Sequence, residues 1–179
     1  MNKNMSRREF VATAGLFAGM MGLVGCGGSG SAATTAAADA GLGLVTDGKL
    51  TVGTSPDFPP FENLENDQYV GLDIDLAQAL ADKLGLELEM KTLQFDAIVP
   101  AVAAGGQVDL GISGITIDPD REEQVDFSDS YYIDDLAVVA MKANADITAD
   151  TYADALNQAG VTIAVQSGTT GESYAQENF

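Results

Sequence analysis

The chain has 179 residues, with eight Lys plus Arg against 27 Asp plus Glu, no histidine, no tryptophan and one cysteine, for a net charge of −19. That balance excludes nucleic acid, where affinity comes from clustered Lys and Arg neutralising phosphates; the inventory also excludes Ser/His/Asp triads, zinc sites and disulfide frameworks. An apolar fraction of 46% still suffices for a packed core, so the acidity belongs to a folded surface and not to a disordered tail.

Residues Ser6-Arg7-Arg8-Glu9-Phe10-Val11 precede an uncharged run, Ala12 to Gly25, that ends Leu23-Val24-Gly25-Cys26. A basic start, a short apolar stretch and a small residue before a cysteine are the marks of a secretory signal. A membrane-spanning helix is the competing reading; it fails on length and on Gly15, Gly19 and Gly22, since a bilayer needs about 20 apolar residues. The Arg-Arg pair with Phe10 resembles a twin-arginine export signal, and Leu-Val-Gly-Cys resembles a lipobox, whose cysteine is lipidated and opens the mature protein. Residues 1–25 are therefore expected to be a signal peptide and Cys26 a lipid anchor to the extracytoplasmic face of the membrane, at about 0.8 kcal/mol per buried methylene. Residues 26–48, which include the Gly/Ser/Ala/Thr run from Gly27 to Ala38, are expected to be a flexible tether.

From Lys49 the pattern alternates strands with helices. Lys49 to Thr54 reads as a β-branched strand followed by a loop rich in Pro and Phe. Asp73 to Leu84 reads as an amphipathic helix with Leu76, Leu80 and Leu84 at fourfold spacing, Ala77 and Ala81 beside them, and Gly85 as its stop. Leu86 to Lys91 alternates as a second strand. Phe95 to Ala104 is a second helix, and Val108 to Ile112 a third strand. This order predicts an α/β fold with a mostly parallel sheet flanked by helices, its ligand crevice at the carboxyl ends of the strands. Val125 to Phe127, Leu136 to Met141 and Val161 to Val165 read as further strands, Ala149 to Asn157 as a helix, and Glu172 as the opening of another.

Three loops converge in that topology: Ser55 to Phe61, Thr92 to Asp96 and Ser113 to Arg121. They carry Phe58, Phe61, Phe95, Thr116 and Arg121, and Arg121 is the only arginine after Cys26. A guanidinium with free amides beside it offers a two-pronged cradle for a carboxylate, and aromatic walls exclude the water that weakens a charge pair. The rival reading pairs Arg121 with Glu122, Glu123 and Asp126. The Gln166-Ser-Gly-Thr-Thr-Gly171 turn is a second anion site by its position before a helix, but it lacks the Gly-Lys-Ser/Thr of a nucleotide-binding loop. Asp118-Pro-Asp-Arg and Asp146-Ile-Thr-Ala-Asp lack calcium-loop spacing, so neither metal nor cofactor is expected. Phe61 and Phe127 read as core residues, Tyr131 and Tyr132 as supports of the first lobe or the hinge edge, and Asp73 and Asp75 as capping or solvated helix residues.

Asp57-Phe-Pro-Pro-Phe-Glu62, Gly71-Leu-Asp-Ile-Asp-Leu76, Phe95-Asp-Ala-Ile-Val-Pro100, Ser113-Gly-Ile-Thr-Ile-Asp-Pro-Asp-Arg121, Val125-Asp-Phe-Ser-Asp-Ser-Tyr-Tyr132 and Gln166-Ser-Gly-Thr-Thr170, in that order, make the chain similar to the extracytoplasmic solute-binding proteins of ABC importers for polar amino acids. The wording is nearest that of glutamine-binding proteins. The resemblance implies a type II periplasmic-binding-protein fold: lobe 1 over 49–141, a hinge crossover at 142–146 and the start of an incomplete lobe 2 over 147–179. It also implies that Arg121 grips an α-carboxylate with Thr116 and Thr170, that Gly114 accepts from the α-ammonium, and that Phe58 and Phe95 sandwich the aliphatic part. By the same resemblance Ser55 stands at a position often acidic in the family, where glutamine-binding proteins usually have aspartate, and Gln166 at one that faces the side-chain pocket. Because family members have two full lobes, a chain stopping at Phe179 is expected to be truncated and to bind ligand poorly.

The implied function is a non-enzymatic, monomeric, lipid-anchored binding protein that captures an amino acid and hands it to an ABC permease and its ATPase. Two other classes stay open: a periplasmic dehydratase of cyclohexadienyl type, and an amino-acid sensory lipoprotein. The first needs a general acid that only carboxylates here can supply.

Overall fold

A computed structural model describes residues 41–144 and 146–179. The expected signal peptide, Cys26 and most of the tether lie outside the described residues. The elements in order are β1 (Lys49–Thr54), β2 (Asp57–Phe58), β3 (Glu62–Glu65), β4 (Gln68–Val70), α1 (Leu72–Leu84), β5 (Glu87–Thr92), α2 (Phe95–Ala104), β6 (Leu110–Gly111), α3 (Pro119–Glu122), α4 (Tyr152–Leu156) and α5 (Thr170–Asn178).

The main sheet has the order β5-β1-β6, and both pairings of β1 are parallel. This is the α/β arrangement expected from the alternating pattern. Leu50 and Val52 of β1 pack with Ala77 and Ala81 of α1 and with Leu86, and Leu44, Leu88, Met90, Leu110 and Ile112 flank them. Leu44 and Val45 were assigned by composition to the tether, yet Leu44 packs on this core and the Val45 amide donates to Asp109 Oδ1 at 2.7 Å. The same carboxylate accepts the Thr51 amide through Oδ2 at 2.8 Å, so Asp109 fastens the entry of the domain to β1.

The expected apolar face of α1 is unevenly buried. Ala77 and Ala81 are fully buried, whereas Leu76, Leu80 and Leu84 remain 37–40% exposed. Alanines at fourfold spacing let the helix axis approach the sheet closely, and the leucines flank that contact instead of forming it.

A second sheet, β2-β3-β4, is antiparallel; β2 lies inside the expected loop from Ser55 to Phe61, and β3 and β4 are additions to the expected elements. Asn66 and Asp67, with φ of 50° and 62°, make the two-residue turn that closes Glu65 onto Gln68. Such primed turns match the twist of a hairpin and tolerate Asn and Asp at positive φ.

The three later strands are not formed. Val125 to Phe127, Leu136 to Met141 and Val161 to Val165 carry no strand pairing, and Ile133, Val139 and Met141 are 80–92% exposed. β-branched composition marks segments that suit a sheet, but a strand exists only where another segment satisfies its amides, and none of the described residues pairs with these. The third strand is likewise cut to Leu110–Gly111, the two residues that reach Val52 and Gly53. The helix expected from Ala149 is confined to Tyr152–Leu156, and the last helix opens at Thr170 rather than Glu172. No helix among the described residues is long and apolar enough to cross a membrane.

The start of α1 lacks a side-chain cap; its first amides are taken up by the second sheet's entry loop, Leu72 N–H donating to Pro60 O at 3.1 Å and Asp73 N–H to Phe61 O at 2.9 Å. Gly71, at φ 130°, makes this docking feasible, since a Cβ there would run into the Phe61 carbonyl. Gly71→Ala should therefore cost roughly 2–4 kcal/mol, combining backbone strain with a clash against main chain that cannot rotate away. Urea denaturation of the variant checks this, and a loss below about 0.5 kcal/mol would contradict it.

Candidate functional site

Parallel pairing puts the carboxyl ends of β1, β5 and β6 on one edge of the sheet, with Thr54 opposite Thr92 and Gly53 opposite Gly111. The loops leaving that edge are the three that carry the predicted site residues. The Ser55 amide donates to Ser113 Oγ at 3.1 Å, joining the loop after β1 to the turn after β6. Ser113 in turn donates to Glu62 Oε1 at 2.6 Å. Gly114, at φ 55°, turns its amide to Asp73 Oδ2 at 2.9 Å and leaves room for the Phe58 ring, which a Cβ at this glycine would meet at 3.6 Å.

Arg121 is held on every side. Asp118 caps α3 by accepting the Arg121 amide on Oδ1 at 3.0 Å, and its Oδ2 meets the same residue's Nε at 3.1 Å. Nη1 donates to the Thr116 carbonyl at 2.7 Å and Nη2 to the Gly168 carbonyl at 2.8 Å, while Cζ lies 5.7 Å from the centre of the Phe95 ring. Its ion pair is thus with Asp118, not with Glu122, Glu123 or Asp126. A guanidinium has five N–H donors. Three are used here, which leaves one on each Nη as the paired prongs that suit a carboxylate.

The predicted residues fall around two adjoining hollows. Phe58, Gly114 and Thr116 line one of about 430 Å3, and Phe95 and Arg121 line another of about 160 Å3 together with Gly168. Val99 and Ile115 form the wall common to both. Phe58 and Phe95 therefore do not face one another as the expected sandwich: Phe58 stacks on Phe61 at 5.6 Å, and Phe95 lies beneath Arg121. Gln166 reaches across to Asp57 Oδ2 at 3.5 Å. Thr170 is the first residue of α5, and the cap is Thr169, whose Oγ1 accepts the Glu172 amide at 3.1 Å. Among the described residues it is the Gly168 carbonyl, not Thr170, that meets Arg121.

Sequence reasoning overlooked the polar cluster under these loops. Asp73 neither caps α1 nor is solvated; it is fully buried and also accepts the Tyr131 hydroxyl at 3.0 Å. Asp75 is exposed as expected. Phe61 is half-buried against Phe58 and Tyr132, in keeping with its reading as a packing residue. Glu62 is 1% exposed. Burial pushes its carboxyl up to about 8 against the opposing hydrogen bond from Ser113, with the negative charges of Asp73 and Asp57 adding to the rise. Burial, with Asp73 beside it, likewise raises the Tyr131 phenol. No group of three or more potential metal ligands converges among the described residues.

The family model for bacterial extracellular solute-binding proteins, family 3, matches residues 50–176. The chain is 41% identical over 130 residues to the arginine-binding extracellular protein ArtP of Bacillus subtilis, covering 72% of this chain and 48% of that protein. It is 35% identical to ABC transporter arginine-binding protein 1 of Escherichia coli, covering 72% and 50%, and 34% identical to a probable histidine-binding protein of Neisseria gonorrhoeae, covering 72% and 45%. The chain thus spans about half the length of these curated relatives, which are binding proteins and not enzymes. Among solved structures it is similar to an ancestral amino-acid-binding protein described as a precursor of cyclohexadienyl dehydratase, with a TM-score of 0.67 and 42% identity, covering 73% of this chain and 56% of that one.

Proposed function

The chain belongs to the bacterial extracellular solute-binding proteins of family 3, and from that footing we propose that it captures a polar amino acid outside the cytoplasm, through the ligand's carboxylate and ammonium groups, for delivery to an ABC permease and its ATPase. The observation that carries this reading is the immobilised guanidinium of Arg121 with one N–H still to give on each Nη. The carboxylate enters that fork. The Gly114 carbonyl and its neighbours in the larger hollow receive the ammonium end. Asp57 and Gln166, with Ser55 behind them, take the polar side chain. An acidic lining suits a cationic side chain, and the relatives named for arginine make arginine the first amino acid to test.

The Arg121 side chain is only 12% exposed, with the Gly168 carbonyl held against it, so ligand entry requires the loop before α5 to withdraw. Opening of one loop cluster against another on ligand binding is a hinge-type transition, whose cost lowers apparent affinity. Binding by the 179-residue chain is correspondingly weak. Glu62, whose carboxyl burial pushes up, lies too deep to protonate a substrate, and the reading is non-enzymatic capture by a monomer.

Two measurements test this. In a thermal-shift screen against the twenty amino acids, one polar amino acid at about 100 times its Kd should stabilise the chain by about 2.7 kcal/mol, a rise of several degrees. Arg121→Ala should abolish the rise; an undiminished shift in the variant, or none with any amino acid, rejects the reading. Anchoring through Cys26 is proposed on the lipobox wording alone, and Cys26→Ser should move the protein from the membrane fraction to the soluble one. A variant that stays with the membrane refutes the anchor.

A further inference from the structure

Beneath the loops at the sheet edge two carboxyl groups meet with no cation between them. Glu62, at the start of β3, is 1% exposed, and Asp73, in the first turn of α1, is 0% exposed. Two of their four oxygens are accounted for: Glu62 Oε1 accepts the Ser113 hydroxyl, and Asp73 Oδ2 accepts both the Gly114 amide and the Tyr131 hydroxyl. The other two, Glu62 Oε2 and Asp73 Oδ1, are buried without a partner, and the two side chains hold consecutive residues of one turn, Glu62 at Ser113 and Asp73 at Gly114. Two ionised carboxylates so placed would repel each other and leave both oxygens unsatisfied. A single proton removes both defects.

We infer that Glu62 carries a proton on Oε2 and donates it to Oδ1 of ionised Asp73, and that this carboxyl–carboxylate bond is the positioning element for the Ser113–Gly114 turn. Donor counting assigns the charge. Asp73 receives two N–H or O–H donors on Oδ2 and a third from Glu62, the setting that favours a carboxylate. Glu62 receives only the Ser113 hydroxyl, which its carbonyl oxygen accepts equally well when the group is neutral. The result is one connected chain, Ser55 amide to Ser113, Ser113 to Glu62, Glu62 to Asp73, with Gly114 and Tyr131 donating to its far end. It joins the loop after β1, the hairpin, the head of α1 and the turn after β6.

The titratable groups that act on Glu62 are Asp73 of α1 and Asp57 of β2, and Tyr131 feels Glu62 in turn; none can carry a positive charge. Losing the proton thus adds a second negative charge that nothing nearby neutralises, and the turn loses its hold. The sign follows from linkage. Between the ordinary glutamate value of 4.5 and about 8 the folded group keeps a proton that the unfolded chain has released. Its contribution to stability is therefore full below about 4.5 and is lost as pH rises through about 8.

The test is the pH dependence of the wild-type 179-residue chain and of Glu62→Gln, which mimics the neutral acid with an amide that still donates to Asp73. The wild-type melting temperature should fall progressively as pH rises from about 4.5 and level off above about 8; the variant should lack that fall and melt above wild type at about pH 9. Infrared spectra of wild-type chain with carboxyl-labelled glutamate need no variant: a neutral carboxylic-acid carbonyl band assigned to glutamate should persist at pH 7 and vanish at alkaline pH. Absence of the band at pH 7, or a wild-type fall in melting temperature retained by a folded variant, overturns the inference. A third arm rests on the amino-acid-binding reading: affinity should drop several-fold between about pH 6.5 and 8.5 in wild type and be flat in Glu62→Gln. Failure to bind any amino acid at any pH rejects that reading, while the infrared band still decides the shared proton.

Discussion

Burial of Glu62 and Asp73 without a compensating cation is the constraint on which the geometry of the cleft depends. A buried charge is costly unless it is paired or richly hydrogen-bonded. Here the solution recruits donors from three places distant in sequence: Ser113 and Gly114 after β6, Tyr131 beyond α3, and Ser55, which donates to Ser113. The loops cannot drift apart without stranding a buried oxygen. The close seating of Gly71 against the Phe61 carbonyl serves the same end, because it fixes Glu62 on β3 and Asp73 on α1 relative to one another.

Above that layer the electrostatics change sign. Beyond Cys26 the chain has five basic residues against 26 acidic ones, yet a guanidinium is presented at the cleft. Asp118 holds it by a charged hydrogen bond and also caps the short helix that carries it, so the residue that neutralises Arg121 orients it. The Phe95 face and the Thr116 carbonyl fix the remaining degrees of freedom. A side chain restrained before its ligand arrives loses little further entropy on binding, which is the advantage of preorganisation. The Gly168 carbonyl takes the other N–H of Nη2 and covers the guanidinium, which makes withdrawal of the loop before α5 part of any binding event.

Much of this was legible in the sequence because it depended on rare or strongly patterned residues. A lone arginine in an acidic chain stands out, and the alternation from Lys49 to Gly111 identified a parallel sheet and the edge where its loops emerge. What was not legible depended on partners. Glu62 and Asp73 are two acids among 27, and nothing in their spacing says that the hairpin and the helix bring them together. The apolar face of α1 was legible in Leu76, Ala77, Leu80, Ala81 and Leu84, but not that the alanines alone would be fully buried, because closeness of approach depends on the sheet opposite. Asn66-Asp67 carried a hairpin signal weaker than Asn-Gly and was passed over. The segments at 125–127, 136–141 and 161–165 have the composition of strands but no segment here to pair with them.

The claim that unites these observations is that Arg121 receives the carboxylate of an amino acid. The most direct measurement is the NMR signal of the Arg121 guanidinium in arginine-labelled protein, identified by its loss in Arg121→Lys and titrated in parallel with an amino acid and with its α-carboxamide. The account predicts that the guanidinium resonances shift with the free amino acid and stay in place with the carboxamide. Equal shifts with both ligands, or binding of the amino acid that leaves those resonances unmoved, would contradict it.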